Sequence, residues 1–164
     1  MVILGEVEIS EVQRHEEATA ANARLGGYGM DAHCPTNDFR CFRVLLEQGD
    51  ADRLFVLADF SAQTTAQSCR MRDLVPGAVA LPRVASFVTA GVDLRSRTGL
   101  ELVLVCGALH DTPLIVIDGN HRAIHQFLTQ GSMQGVRAYA CVHRDISQWP
   151  FVPRLARTDT SHGQ

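Results

Sequence analysis

The chain contains no lysine: all 15 of its lysine-plus-arginine residues are arginines. Arginine suits planar, two-pronged contacts to phosphate and carboxylate, but a GC-rich coding sequence produces the same bias and takes most of the weight. A basic surplus is also missing, since the formal net charge is −3. Proteins that bind nucleic acid neutralise phosphates with basic side chains, so no nucleic-acid partner is expected. The five cysteines, Cys34, Cys41, Cys69, Cys106 and Cys141, include no CxxC pair, which takes support from zinc-ribbon and thioredoxin-like readings. Cys106 and Cys141 sit in apolar runs and read as small core residues. Apolar runs such as Leu102–Cys106 are far below membrane-spanning length, so no membrane association is expected. The opening residues MVILGEVEIS lack the basic n-region of a signal peptide, and a reducing cytoplasm is the expected location.

What remains is an ordinary globular composition, 46% hydrophobic and 20% charged over 164 residues, enough for one core and one domain. The expectation is a single α/β (α+β) domain over residues 1–153 and a flexible tail over 154–164. Val2–Ile9 reads as a strand. Ser10 and Gln13 have capping-box spacing for a helix from Glu11 to about Arg24, with a thin apolar stripe. Segments 40–47 and 52–60 flank Gly49-Asp50; the first fits either half of a hairpin or a short helix, and Leu54-Phe55-Val56-Leu57 fits a strand. Residues 64–74 look helical. Pro82 suits the first turn of a helix that Gly91 closes. Glu101–Cys106 and Leu114–Ile117 read as strands joined by a turn, the second lacking alternation and so buried on both faces. A helix follows from Asn120 to about Gln130, ended by Gly131, and then a strand over 136–143.

The segment with the most chemistry is Asp118-Gly119-Asn120-His121-Arg122. A strand that ends in Asp-Gly and opens directly into a helix brings flexible backbone to helix amides that have no intrahelical partner and carry partial positive charge. Such a corner binds anions, phosphate above all. Arg122 can close over a phosphate, and His121 offers a donor that also moves protons near neutral pH. A plain strand-to-helix turn capped by Asp118 or Asn120 is the alternative. An arginine in a helix's first turn opposes the dipole unless an anion sits there, which favours the anion site.

The stretch Pro113-Leu114-Ile115-Val116-Ile117-Asp118-Gly119-Asn120-His121-Arg122-Ala123 resembles the strand–turn–helix of the ParB/sulfiredoxin superfamily, whose members share G-x-x-R after a hydrophobic strand. The likeness covers residues 100–145. It implies a mixed sheet with flanking helices. Sulfiredoxins carry a cysteine where this chain has Asn120, so sulfiredoxin chemistry is not implied. Partition-type ParB proteins bind CTP at this corner and continue into a DNA-binding domain. The D-G-x-H-R turn is most similar to the free-serine kinases. That resemblance implies a nucleotide, ATP or another, with its phosphates on Gly119, Asn120, His121 and Arg122. It also implies Mg2+, with Asp118 as metal ligand or hydroxyl-orienting group, and Asp118 and His121 as catalytic residues. A base carboxylate must come from elsewhere, with Glu47, Asp59 and Glu101 as candidates. The implied activity is ATP-dependent phosphoryl transfer to a small molecule, that is, a kinase-type transferase. A non-catalytic nucleotide-sensing or partner-binding module is the alternative.

A third reading is a metal hydrolase. His121 and His125 share a helix face, and His110, His143 or the His33/Cys34 pair could complete a zinc site. HxxxH without a glutamate is a weak signal, and His125 reads better as a partly buried helix residue beside Ile124, Phe127 and Leu128. Gly26-Gly27-Tyr28-Gly29 follows a helix and fits a C-cap better than a phosphate loop. Trp149 fits a seal at the edge of the core.

Overall fold

The computed structural model describes residues 1–18, 38–56, 70–73, 82–110 and 112–146. Three α-helices are described: α1 (Ile9–Ala18), α2 (Pro82–Thr89) and α3 (Asn120–Gln130). They flank a six-stranded sheet made of β1 (Val2–Val7), β2 (Arg40–Leu45), β3 (Leu54–Phe55), β4 (Leu102–Cys106), β5 (Leu114–Asp118) and β6 (Arg137–Val142). The strand order is β1-β2-β6-β4-β5-β3. β1–β2, β2–β6 and β4–β5 are antiparallel, while β4–β6 and β3–β5 are parallel. This is a mixed α/β single domain.

The central strands explain the layering. Every residue of β4 and β5 is buried, as continuous aliphatic strands must be when both faces of a sheet are covered. Alternate residues of the strands then feed different cores. Leu102, Leu104, Leu114, Val116, Ala138 and Ala140 belong to one cluster, which also contains Val84 of α2 and Ala123 and Ile124 of α3. Val103, Val105, Ile115, Ile117, Tyr139 and Cys141 belong to the other, with Val12 of α1.

Several sequence expectations match. α2 starts at Pro82, and Gly91, at φ 58, donates its N–H to Val88 O. α3 runs from Asn120 to Gln130, and Gly131, at φ 64, closes it by donating to Phe127 O. β4, β5 and β6 lie within a residue of the expected spans.

Others differ. α1 begins at Ile9, with Glu11 N–H donating to Glu8 O. Ser10 therefore stands inside the helix and not at its cap. No hairpin forms around Gly49-Asp50. Residues Gln48–Arg53 make a 3-10 helix, and β2 and β3 end up on opposite sides of the sheet. The carboxylate of Asp50 explains the turn: it accepts from the Glu47 amide at 2.8 Å and pairs with Arg53 at 3.1 Å. The strand at 54 spans only Leu54–Phe55. Of the expected helix over 64–74 only residues 70–73 are described, where Met71–Asp73 is a 3-10 turn. Cys41 and Cys141 face each other across β2 and β6 and are joined by a disulfide, so Cys141 is more than the small core residue its sequence context suggests. Arg24, Gly26, Gly27, Leu57, Trp149 and the tail lie outside the described residues.

Leu104, fully buried between α3 and the sheet, provides the test of this layering. Leu104→Ala should destabilise the domain by about 2–5 kcal/mol, as other buried leucine truncations do. Urea titration measures this, and a loss near zero would mean that β4 is not the central strand.

Candidate functional site

The end of β5 delivers the corner. Asp118 is its last residue and pairs in register with Val103 of β4. Gly119 follows in the left-handed conformation (φ 85, ψ 20) and caps α3 with no side chain of its own to bond the first-turn amides. Neither Asp118 nor Asn120 is the cap residue. Only glycine fits at position 119. Positive φ is costly for an L side chain, and a Cβ there would stand 2.7 Å from Leu102 Cδ2 and 2.8 Å from Arg122 Nη2.

Arg122 is folded back over that glycine. Its Nη2 donates to Asp118 Oδ2 at 2.8 Å and to the Glu101 carbonyl at 3.3 Å. Both charged side chains are at least nine-tenths buried, with 8% and 9% exposure. The anion that an arginine in the first turn of a helix requires is thus supplied by the chain itself, four residues earlier. Among the described residues Arg122 Nε is buried and has no hydrogen-bond partner; it lies 3.0 Å from where a Cβ of residue 119 would stand. His121 is half-buried, while Asn120 is buried at 2% exposure.

Of the three candidate base carboxylates, Glu101 is the one at this corner. Its carbonyl takes the bond from Arg122 and a second from His15 Nε2 at 3.0 Å. Its carboxylate lies 3.6 Å from His15 Nδ1 and is 17% exposed. Glu47 instead pairs with the amino group of Met1, and Asp59 lies outside the described residues. His15 had no signal in the sequence. It reaches Glu101 because α1 packs across the β2–β6 side of the sheet, where its ring also meets Tyr139 at 5.2 Å.

His125 does not face the corner. It is buried, and Nε2 donates to Val92 O at 2.8 Å. The neighbouring Gln126 accepts from the Leu94 amide at 3.0 Å. These polar residues on the inner face of α3 satisfy the backbone of the segment that follows α2. Among the described residues no group of three or more His, Cys, Asp or Glu side chains converges as a metal site. His33 and Cys34 lie outside the described residues. None of the described helices is long and apolar enough to cross a membrane. Comparison of the chain with protein-family models, with curated proteins and with solved structures returns no match.

Two outcomes check this geometry. Gly119→Ala should destabilise by more than Gly91→Ala in urea titrations. Both glycines have positive φ, but of the two only position 119 is also crowded, since no described residue lies within 4 Å of a Cβ at 91; the conformational part alone is about 1–2 kcal/mol. Equal losses would mean that Arg122 and Leu102 do not press on the corner. For Cys106, burial pushes the thiol pKa up to about 12, so it stays a protonated, unreactive thiol. Peptide mapping after thiol alkylation of the folded protein should find Cys106 unmodified, and modified once the chain is unfolded.

Proposed function

We propose that this chain is a nucleotide-binding domain of the ParB/sulfiredoxin-like kind, which holds a nucleoside phosphate at Gly119–Arg122 and transfers the terminal phosphoryl group of ATP to a small molecule. One observation carries the reading: a buried arginine has no partner for its Nε among the described residues, beside an αL glycine that is itself the cap of an eleven-residue helix. An unpartnered buried N–H costs about 1–3 kcal/mol. A phosphate oxygen at the corner would satisfy it, with the positive end of the helix dipole behind it.

The residues divide the work. The amides of Gly119, Asn120, His121 and Arg122 and the His121 ring would bind phosphate. Asp118 orients Arg122 and balances its charge, a positioning role. Glu101, held beside His15, would accept the proton of the acceptor's hydroxyl as its oxygen bonds to phosphorus and ADP leaves. The Mg2+ that the resemblance implies does not fit Asp118 as it stands. Its carboxylate already faces a guanidinium at 2.8 Å, and a second cation there would have to displace the first. No step is therefore assigned to a metal at that residue. The same pairing favours a second reading, in which the corner binds nucleotide without turnover, as a sensor. A cytoplasmic location belongs to the proposal and implies that Cys41 and Cys141 are reduced in the cell.

Calorimetry with ATP on wild type and Arg122→Lys tests the binding. Lysine keeps a cation for Asp118 but removes the Nε–H and the planar fork. The variant should lose about 1.5–3 kcal/mol of binding free energy, the scale of a charge-assisted hydrogen bond. Equal affinity in two folded proteins would reject the site. Release of ADP with hydroxyl-bearing metabolites would then separate the two readings: binding without any turnover supports the sensor.

A further inference from the structure

Beside Glu101, β1, β2, β6 and the segment leading into β4 line a cavity of ≈ 270 Å³. Its polar lining is Arg43, Thr98, Glu101, Arg137 and Tyr139; the rest is aliphatic. Drug-sized ligands occupy pockets of about 300–1,000 Å³, so this one suits a smaller molecule.

The polar groups are set mostly by sheet register. Arg43 and Tyr139 are direct cross-strand partners, as are Leu45 and Arg137. Glu101 immediately precedes Leu102, which pairs in parallel with Ala138, so Glu101 enters the sheet beside the start of β6. Helix α1 then fixes two of these groups from outside the cavity. Glu11 pairs with Arg43 at 2.9 Å, and His15 stands against Tyr139 and Glu101. Burial, and then the hydrogen bond with Glu11, raises the pKa of the Tyr139 phenol, so it stays protonated. Arg137 is different: it is half-buried, and no described residue gives it a carboxylate partner.

We infer that this cavity binds a small monocarboxylate with a hydrogen-bond donor next to its carboxyl group, the carboxylate on Arg137 and the donor on Glu101. Arg43 already has Glu11 as its counter-charge at 2.9 Å, so Arg137 is the guanidinium of the wall whose charge no described carboxylate pairs with. A single carboxylate matches it one to one. A phosphate dianion brings twice the charge and sets it beside Glu101. A neutral ligand leaves Arg137 without a counter-charge. Carboxylate also matches the planar fork of arginine, two parallel N–H donors to two oxygens. Glu101 is acceptor-only when ionised, so the neighbouring group must donate, as a hydroxyl or an amino group does. The inference shares Glu101 with the nucleotide reading but does not rest on it, because Arg137 and Thr98 lie outside the corner and binding needs no nucleotide.

The test is a titration of the full chain with lactate, propionate and inorganic phosphate, followed by amide chemical shifts in the absence of nucleotide. Lactate should bind, shifting the amides of Thr98, Glu101 and residues 137–139, and should bind more tightly than propionate, which lacks the donor, and than phosphate. Arg137→Gln should weaken lactate by about tenfold or more, equivalent to about 1.4 kcal/mol. Glu101→Gln should narrow the gap between lactate and propionate while keeping propionate binding. Unperturbed amide spectra elsewhere show that each variant is folded. The proposal is overturned if lactate produces no shifts at these residues, if phosphate binds at least as well as lactate, or if folded Arg137→Gln binds lactate like wild type. None of these results depends on whether ATP binds at residues 119–122.

Discussion

The corner of this fold is organised by one buried ion pair. Asp118 closes a strand whose five residues are all buried, and burying a carboxylate there is costly without a compensating partner. Arg122 supplies it at 2.8 Å. To do so the guanidinium must lie over residue 119, which leaves no room for a side chain and puts glycine there. The glycine in turn allows the left-handed turn that starts α3. With α3 set at that angle, His125 and Gln126 reach Val92 O and the Leu94 amide and hold the segment that leads from α2 towards Glu101. A pair of this kind need not add net stability, but breaking one half leaves an uncompensated buried charge and is costly.

Glu101 links the two ends of this arrangement. Its carbonyl accepts hydrogen bonds from Arg122 on α3 and His15 on α1, so helices packed on opposite faces of the sheet meet at one peptide group. Its carboxylate lines the cavity beyond. A change at the corner therefore has a short physical route to that cavity, through one residue and not through a long chain of contacts.

The central part of the fold was legible because its signals are local. The run Leu114–Ile117, the Asp-Gly break, and Gly131 after a periodic stretch each act within a few residues, and β5 and α3 appear where those signals place them. The outer half of the sheet depends on pairings that no local pattern records. β2 takes its register from β6, so Cys41 meets Cys141 across a sequence separation of 100. A hairpin around Gly49-Asp50 was one of two readings, because glycine and aspartate favour turns in general; the Asp50 hydrogen bonds instead wind the segment into a 3-10 helix. At the corner, the turn at Gly119 and the start of α3 were legible, and so was the need for an anion near Arg122. That Asp118 is the anion was not, because side chains four apart across a strand–turn–helix junction have no fixed mutual geometry, unlike a pair within one helix. His15, Arg43, Arg137 and Tyr139 converge only through long-range packing and left no motif to find.

The central claim is that Asp118 and Arg122 act as a unit on which the corner is built. A double-mutant cycle measures this directly: Asp118→Asn, Arg122→Met and the double variant, each unfolded in urea. If the pair is coupled as its burial and 2.8 Å separation indicate, each single change should cost about 3–5 kcal/mol. The double variant should then cost clearly less than the sum, with an interaction energy of about 1–3 kcal/mol. Additive losses would contradict the account, since they would mean that the two side chains are stabilised separately and that Arg122 is not held over Gly119 by Asp118.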